Sequence, residues 1–155
     1  MISVQEEDFS LAEEYDSLRE RAGDVGAVVT FTGLVRELYQ TAEGGVENIA
    51  SLYLEHYPGM TEKSLQQILD QAMAKWPLLA VRVIHRVGEL RAGEQIVFVG
   101  TASAHRQDAF EAAQFIMDYL KSRAPFWKKQ SSTTDSHWVQ SRQSDADALQ
   151  RWEES

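Results

Sequence analysis

The sequence predicts an α+β fold in a single domain over residues 1–155, and three observations lead to this prediction. The chain has 155 residues, within the range of about 100–200 residues for one domain. Hydrophobic residues make up 43% and charged residues 25% of the chain, as is usual in globular proteins. Segments with helical periodicity are interspersed with β-branched, hairpin-like segments, and this mixture is typical of the α+β class.

The first third of the chain predicts one helix followed by two strands. The sequence Ser10-Leu11-Ala12-Glu13 has the form of a capping box, which predicts a helix over about 11–21. Residues 25–36 are rich in β-branched and aromatic side chains and predict a strand. Residues 39–46 contain two adjacent glycines and predict a loop, and the alternation of side chains over 50–57 predicts a second strand.

The middle of the chain predicts a helix and a hairpin. Thr61 is predicted as the N-cap of a helix that runs to about Trp76, because apolar side chains recur there along one face. A proline follows and ends the helix. Residues 81–87 and 95–104 are β-rich segments separated by a glycine-containing turn, and together they predict a β-hairpin.

The last third of the chain predicts a long amphipathic helix and then shorter elements. Apolar side chains recur at helical spacing over 107–123, and a proline stops this helix. Residues 126–131 and 137–140 predict short strands, and 145–152 predicts one or two helical turns. From about residue 141 we expect an acidic C-terminal tail.

Composition excludes several classes of chemistry. The chain contains no cysteine, so it supplies no disulfide, thiolate nucleophile or cysteine-ligated metal of its own. Any sulfur chemistry must therefore use sulfur from another molecule.

The charge distribution bears on partners and location. The net charge of −9 argues against nucleic acid or an anionic membrane surface as the main partner. No apolar run approaches the ~18 residues of a transmembrane helix, and the N-terminal segment is acidic where a signal peptide would be basic. We therefore expect a soluble, cytoplasmic protein. Residues 101–130 differ from the average, with five basic and three acidic side chains, and suit either a solvated helix face or a pocket for a small anion.

The histidines do not predict a metal site. The chain has four of them, and none lies within five residues of another: they are His56, His85, His105 and His137. A glycine-rich phosphate loop and a Gly-x-Ser-x-Gly nucleophile motif are also missing from the sequence. We predict no metal and no cofactor.

A candidate anion site lies at the start of the long helix. The segment Thr101-Ala102-Ser103-Ala104-His105-Arg106 leads from a predicted strand into this helix. A helix N-terminus presents unpaired N–H groups and partial positive charge, and His105 and Arg106 add side-chain donors. The alternative is a solvent-exposed arginine beside a capping histidine.

Lys121 lies near the other end of the same helix, beside the apolar stripe that contains Phe110. Such a lysine can pack its methylenes on the edge of the core and extend its ammonium to water. If it is partly desolvated near Arg123, it can instead act as a nucleophile or proton shuttle. Strand alternation sends Lys128 and Lys129 to opposite faces, so one of them returns toward Lys121.

Five blocks of the sequence carry a family resemblance. They are Phe31-Thr32-Gly33-Leu34-Val35-Arg36, Leu54-Glu55-His56-Tyr57-Pro58-Gly59-Met60, Ile84-His85-Arg86-Val87-Gly88, Ser103-Ala104-His105-Arg106, and Asp118-Tyr119-Leu120-Lys121-Ser122-Arg123-Ala124-Pro125-Phe126-Trp127-Lys128-Lys129. In sequence and order these blocks resemble the large, catalytic subunits of molybdopterin synthase, and the match extends over roughly residues 9–152.

The resemblance implies a fold, partners and a reaction. The fold is an α+β domain of the hammerhead type with a mixed or antiparallel sheet. The assembly is a homodimer of large subunits within a heterotetramer, each large subunit binding a small ubiquitin-like subunit that ends in a Gly-Gly thiocarboxylate. The reaction is a sulfurtransferase reaction, in which two sulfurs pass to cyclic pyranopterin monophosphate and form the molybdopterin dithiolene of molybdenum cofactor biosynthesis.

The resemblance also implies the site. The family's substrate pocket falls on Leu34, Val35, Arg36, His105, Arg106, Lys121, Lys128, Lys129 and Gln130. Lys121 and Lys128 are implied as the catalytic pair, beside the inserted tail of the donor. Arg36 is implied to come from the dimer mate and to bind phosphate alongside His105 and Arg106. Relatives commonly have Glu in place of Gln130 and Lys in place of Leu34, so neither of these side chains is assigned a chemical role.

Two other functions remain alternatives at this point. A non-catalytic adaptor would dock a ubiquitin-like partner without binding a pterin. A phosphoester-binding enzyme would use the His-Arg helix start without any protein partner.

Overall fold

A computed structural model describes residues 1–40, 46–132, 136–139, 148–150 and 152–153. Its helices are separated by groups of mostly antiparallel strands, which confirms the α+β prediction. The helices are α1 (Leu11–Ala22), α2 (Met60–Lys75) and α3 (Arg106–Arg123); the strands are β1 (Ile2–Gln5), β2 (Ala27–Leu34), β3 (Leu38–Gln40), β4 (Val46–His56), β5 (Leu78–Arg86), β6 (Gly88–Arg91), β7 (Gln95–Ser103), β8 (Phe126–Ser132) and β9 (Ser136–Val139). No helix within these ranges is long and apolar enough to cross a membrane.

The first sheet has the strand order β1-β5-β7-β2. Strands β5 and β7 are antiparallel neighbours, as the hairpin pattern predicts, and β2 pairs antiparallel with the other side of β7. Strand β1 pairs parallel with β5, a contact that the acidic N-terminal sequence does not predict. The sheet is therefore mixed.

The second sheet is built around β4. Strands β3, β4, β8 and β9 are neighbours in that order, and β6 also pairs with β4. The chain passes from the first sheet to the second between β5 and β6, where Gly88 has φ +87°. Glycine is favoured there because other residues rarely adopt a positive φ, and a Cβ would also lie 3.0 Å from the Glu6 carboxylate.

Helices cover both faces of the first sheet. On one face, α2 and α3 pack on Val83, Val97 and Val99. On the other face, Leu18 of α1 packs on Ile84 and Phe98. Because both faces are buried, the two central strands read as apolar runs instead of alternating patterns.

A smaller apolar cluster joins the two sheets. It contains Val35, Leu52, Leu54, Val87 and Leu90. Val4, Ile96 and Phe126 pack both against this cluster and against the main core under α2 and α3. The two sheets therefore share one continuous core.

Three details of the elements differ from the sequence-based predictions. The cap of α2 is Gly59, whose N–H donates to the Glu62 carboxylate at 2.8 Å, and Thr61 lies inside the first turn. Phe110 is 61% exposed on α3 and does not belong to its buried stripe. The predicted loop over 39–46 includes the end of β3 and the start of β4, while residues 41–45 lie outside the described part of the chain.

The end of the chain packs against α3. Residues 148–150 and 152–153 are helical, which agrees with the predicted C-terminal turns. The Trp152 indole donates to Asp118 at 2.5 Å and meets the rings of Trp76 and Phe115 edge-on, at 5.9 and 5.6 Å. Residues 141–147, the first part of the predicted acidic tail, lie outside the described ranges, whereas Leu149 is buried and Trp152 packs against the main core.

Candidate active site

The turn after β2 is held by its backbone. Val35 donates its N–H to the Glu94 carbonyl at 2.9 Å and accepts from the Gly93 N–H at 2.7 Å. Its side chain is buried in the cluster between the sheets, whereas Leu34 and Arg36 on either side are exposed. Val35 therefore fixes the turn, and Arg36 extends from it into solvent.

A buried arginine, Arg86, holds the segment to which this turn is hydrogen-bonded. The sequence patterns did not predict this role. Arg86 has a side chain that is only 8% exposed, and it donates to the Gln95 carbonyl at 2.8 Å and twice to the Glu6 carbonyl. Its guanidinium also lies 3.6 Å from the carboxylate of Glu94. The same residue, Glu94, accepts the Val35 N–H, so Arg86 anchors the segment on which the Arg36 turn rests.

A neighbouring carboxylate completes this support. Asp8 accepts from the Gln95 side chain at 2.8 Å and from the Phe9 N–H at 2.8 Å. The Gln95 hydrogen bond is the main cause that holds the pKa of Asp8 below its usual value, followed by the Phe9 N–H, with the charge of Arg86 adding to the effect. Hydrogen bonds to a carboxylate favour its charged form.

Lys121 stands in the last turn of α3 and is exposed. Its neighbour Leu120 is buried in the main core, which fixes the helix face from which Lys121 projects. The chain then enters β8, where the backbones of Lys128 and Lys129 pair with Leu54 and Tyr53 of β4. The side chains of Lys128, Lys129 and Gln130 lie outside the described part of the structure.

The start of β8 shows which end of the sheet Lys121 occupies. The Phe126 ring stacks on His85, with centroids 3.9 Å apart and planes 20° apart. His85 pairs with Val97, and Val97 pairs with Gly33 near the end of β2. Lys121, the start of β8 and the Arg36 turn therefore lie at one end of the first sheet, which we name the lysine end.

His105 and Arg106 lie at the opposite end, which we name the histidine end. His105 is the N-cap residue of α3, without a side-chain capping bond, and both residues are exposed. Ser103, just before them, pairs with Ala27 at the start of β2. From Arg106 to Lys121 the helix rises by about 22 Å at 1.5 Å per residue. One chain therefore does not bring His105 or Arg106 to Lys121.

A close backbone approach fixes the histidine end. Gly26 donates its N–H to the Ser103 carbonyl at 3.0 Å, and a Cβ on Gly26 would lie 2.0 Å from the carbonyl oxygen of Ala104. The buried Ser103 hydroxyl donates to the carbonyl of His105. These contacts set the backbone from which His105 and Arg106 project.

Each end presents exposed cationic side chains. The described residues include no group of three or more His, Asp or Glu side chains that could hold a metal ion. Exposed cationic side chains can instead bind phosphate and stabilise developing negative charge on a reacting oxygen. The arrangement thus suits chemistry on an anionic substrate.

Comparisons with known proteins decide the family. Residues 4–123 match the family described as MoaE protein. The chain is 57% identical over 152 residues to the molybdopterin synthase catalytic subunit of Vibrio cholerae, covering 98% of this chain and 97% of that protein. The chain belongs to the MoaE family.

Solved structures agree with this assignment. The MoaE protein from Burkholderia ambifaria superposes with a TM-score of 0.83 at 44% identity, covering 99% of this chain and 97% of that one. A chain in the complex of subunits 1 and 2 of molybdopterin-converting factor from Helicobacter pylori has the same fold, with a TM-score of 0.73 at 17% identity and 91% of each chain covered.

These matches confirm the family that the five sequence blocks predict. They also confirm the predicted function, an enzymatic role in molybdopterin synthesis. The site residues carried over from the resemblance stay predictions. The structure groups Leu34, Val35, Arg36, Lys121 and the backbone of 128–130 at the lysine end, and it separates them from His105 and Arg106. For Val35, the buried side chain favours a role in holding the turn over direct contact with substrate.

Proposed function

We propose that this chain transfers two sulfurs from the thiocarboxylated C-terminus of a small ubiquitin-like subunit to cyclic pyranopterin monophosphate, which forms the molybdopterin dithiolene. The observation that carries the proposal is the match of 57% identity, over almost the full length of both chains, to a molybdopterin synthase catalytic subunit.

The absence of cysteine supports an external sulfur donor. The chain contains no cysteine, so a persulfide or thiolate of its own is not available as the source. The Helicobacter pylori complex contains two different subunits of molybdopterin-converting factor, one with this fold. A second, small subunit that carries the sulfur as a thiocarboxylate fits both observations.

The proposed chemistry uses the cations of the two ends. The thiocarboxylate sulfur attacks a pyranopterin carbon, displaces the oxygen bound to it, and joins donor and substrate as a thioester. Water then cleaves the bond between the donor acyl group and the sulfur, which leaves the sulfur on the pterin and a carboxylate on the donor. A second donor repeats the sequence at the neighbouring carbon. One of the two displaced oxygens is that of the cyclic phosphate, which opens to a monoester, and the other leaves as water.

Lys121 and Lys128 are the proposed catalytic residues. An ammonium beside the donor tail stabilises the oxyanion that forms when water attacks the thioester carbonyl. Arg36, His105 and Arg106 are proposed to bind the phosphate, with Lys129 and the Leu34–Val35 and Gln130 positions lining the pocket. The exposure of Lys121, Arg36, His105 and Arg106 leaves them accessible to an anionic ligand.

The separation of the two ends supports a pocket shared between two copies. Because Arg106 and Lys121 are about 22 Å apart along one helix, both can contact one pterin only if they come from different copies. The lysine end of one copy, with Arg36, would then meet the histidine end of the other. In this arrangement Arg36 of one copy binds phosphate beside His105 of the other copy, as the family resemblance implies. Lys121 then belongs to the same copy as Arg36.

Reconstitution tests the proposed function. The purified chain, mixed with a thiocarboxylated small subunit and cyclic pyranopterin monophosphate, should give molybdopterin, detected by mass spectrometry. The matched control is the same small subunit with an ordinary C-terminal carboxylate, which should give none.

The outcomes separate the alternatives. Binding of the small subunit without binding of the pterin in a fluorescence titration would favour the adaptor. Turnover of the phosphoester without the small subunit would favour an enzyme of a different class. No dithiolene product with a competent donor would overturn the proposal.

A further inference from the structure

A buried hydroxyl ties together the ends of three elements. Thr61 in the first turn of α2 is completely buried. Its hydroxyl donates to the carbonyl of Pro125 at 3.0 Å and accepts the N–H of Tyr57 at 3.0 Å, while its own N–H donates to the Tyr57 carbonyl at 2.9 Å. The first of these bonds joins residues that are 64 positions apart in the sequence.

Pro125, which accepts this hydrogen bond, lies in the connection between α3 and β8. We name this connection, residues 124–126, the elbow. Within the elbow, Ala124 donates to the Leu120 carbonyl and Phe126 donates to the Ala124 carbonyl, at 3.3 and 3.0 Å. Pro125 has no N–H to donate, so its carbonyl is its only backbone hydrogen-bonding group. Thr61 satisfies that carbonyl from a different helix.

The elbow separates the two proposed catalytic lysines. Lys121 lies four positions before Pro125 on α3, and Lys128 lies three positions after it on β8. Helix and strand are each rigid, so the angle at the elbow sets how Lys121 and the Lys128 backbone are placed relative to each other. A change of about 1 Å in such a placement can cost about 100-fold in rate.

Thr61 also bonds to the residue directly after β4, the strand with which β8 is paired. β8 begins opposite the end of β4, with Phe126 paired to His56. Tyr57 follows His56 directly and is held at both its N–H and its carbonyl by Thr61. Thr61 therefore bonds both to the residue after β4 and to the connection after α3.

We propose that Thr61 is a positioning residue for sulfur transfer: it holds the elbow so that Lys121 and Lys128 are presented to the donor tail together. This inference rests on the proposed function. Both hydrogen-bonding capacities of the hydroxyl are used, one as donor and one as acceptor. Serine can therefore replace threonine in this role, whereas the isosteric valine cannot.

Three variants test the proposal in the reconstituted complex of large and small subunits. Thr61→Val removes both hydroxyl bonds and keeps the shape, and Thr61→Ser keeps the hydroxyl. The control is Trp76→Phe, because Trp76 is also buried and its indole donates to the Glu111 carboxylate at 2.9 Å. From Thr61 to Trp76 the chain rises by about 22 Å along α2, so this control loses a hydrogen bond of a buried side chain far from the elbow.

We expect Thr61→Val to lower kcat by about 10- to 100-fold with little change in KM for the pterin. Thr61→Ser should restore kcat to within a few-fold of the wild-type value. Trp76→Phe should lower Tm at least as much as Thr61→Val does and leave kcat unchanged. A wild-type kcat in Thr61→Val, or an equal loss of kcat in Trp76→Phe, would overturn the proposal, because the effect would then be absent or merely structural.

A second readout does not depend on activity. The Phe126 N–H lies in the elbow, and its hydrogen exchange should accelerate in Thr61→Val but not in Trp76→Phe. Unchanged exchange would overturn the positioning role even if the wild-type complex makes molybdopterin. Faster exchange with an inactive wild-type complex would instead show that the elbow is anchored as inferred and that the proposed function is wrong. Should Thr61→Val fail to fold, Thr61→Cys, whose thiol is a weak donor, takes its place with the same expected directions.

Discussion

The carbonyl oxygen of Ala104 lies 2.0 Å from the position that a Cβ on Gly26 would occupy. Backbone cannot give way as a side chain can, so Gly26→Ala must displace the segment that carries His105 and Arg106. We expect a loss of about 1–3 kcal/mol in the free energy of unfolding, as for other overpacked sites, and weaker binding of the pterin monophosphate. Urea unfolding and a fluorescence titration measure the two effects. Wild-type values in both would show that this contact does not hold the histidine end.

Lys121→Ala should nearly abolish turnover while the fold persists. Lys121 is exposed, so its removal should change the free energy of unfolding by no more than about 0.5 kcal/mol. Loss of one group that stabilises an oxyanion typically lowers kcat by about 100- to 1,000-fold. Single-turnover assays of sulfur transfer measure the effect. The control is Lys63→Ala, because Lys63 is also an exposed lysine but lies on α2. Turnover at the wild-type rate would remove Lys121 from the mechanism.

Two inactive variants should complement each other if the pocket is shared. Arg106→Ala damages the histidine end and Lys121→Ala the lysine end. In a hybrid dimer of the two, one pocket carries both defects and the other carries neither. Random assembly of equal amounts should therefore recover about a quarter of the wild-type activity. Coexpression and assay of the purified mixture measure this, and no recovery above that of the separate variants would place both ends in pockets of a single copy.

The separation that underlies this experiment is partly predictable from the sequence. The apolar periodicity of 107–123 predicts a helix, and the helical rise then places Arg106 and Lys121 about 22 Å apart. The sequence does not show which end Arg36 joins. That depends on β2 pairing antiparallel with β7, so that Gly33 lies opposite Val97, and strand order is a tertiary property.

Thr61 and Arg86 show a second limit of sequence analysis. Thr61 has the residue type of an N-cap and stands beside a helix start, but Gly59 caps α2 and the Thr61 hydroxyl bonds to Pro125. Arg86 lies in a β-rich segment and gives no local sign that it bonds to the Glu6 and Gln95 carbonyls. Both roles depend on partners distant in the sequence or brought together by the sheet, so local patterns do not reveal them.

Arg86→Met should destabilise the protein and loosen the Arg36 turn. The change leaves the Gln95 and Glu6 carbonyls without their donor, and a hydrogen bond from a charged donor contributes about 1.5–3 kcal/mol. The control is Arg82→Met in the same strand, whose pair with Glu14 at 3.2 Å is partly exposed and should contribute about 0–1 kcal/mol. Urea unfolding measures both variants, and equal losses would contradict the anchoring role of Arg86.

The pH dependence of stability should change in Glu111→Gln. The Trp76 indole donates to the Glu111 carboxylate at 2.9 Å, and this bond, with a second from Gln107, holds the pKa of Glu111 below its ordinary value of 4.5. A carboxyl whose pKa is lowered by folding contributes stability above its unfolded pKa and loses it as the pH falls through the folded pKa. Glutamine still accepts from the indole but does not titrate. The difference in unfolding free energy between the wild type and Glu111→Gln should therefore be constant above about pH 6 and shrink as the pH falls below 4.5. Urea unfolding across this range measures it, and a difference that grows toward acid would mean that the pKa is raised instead.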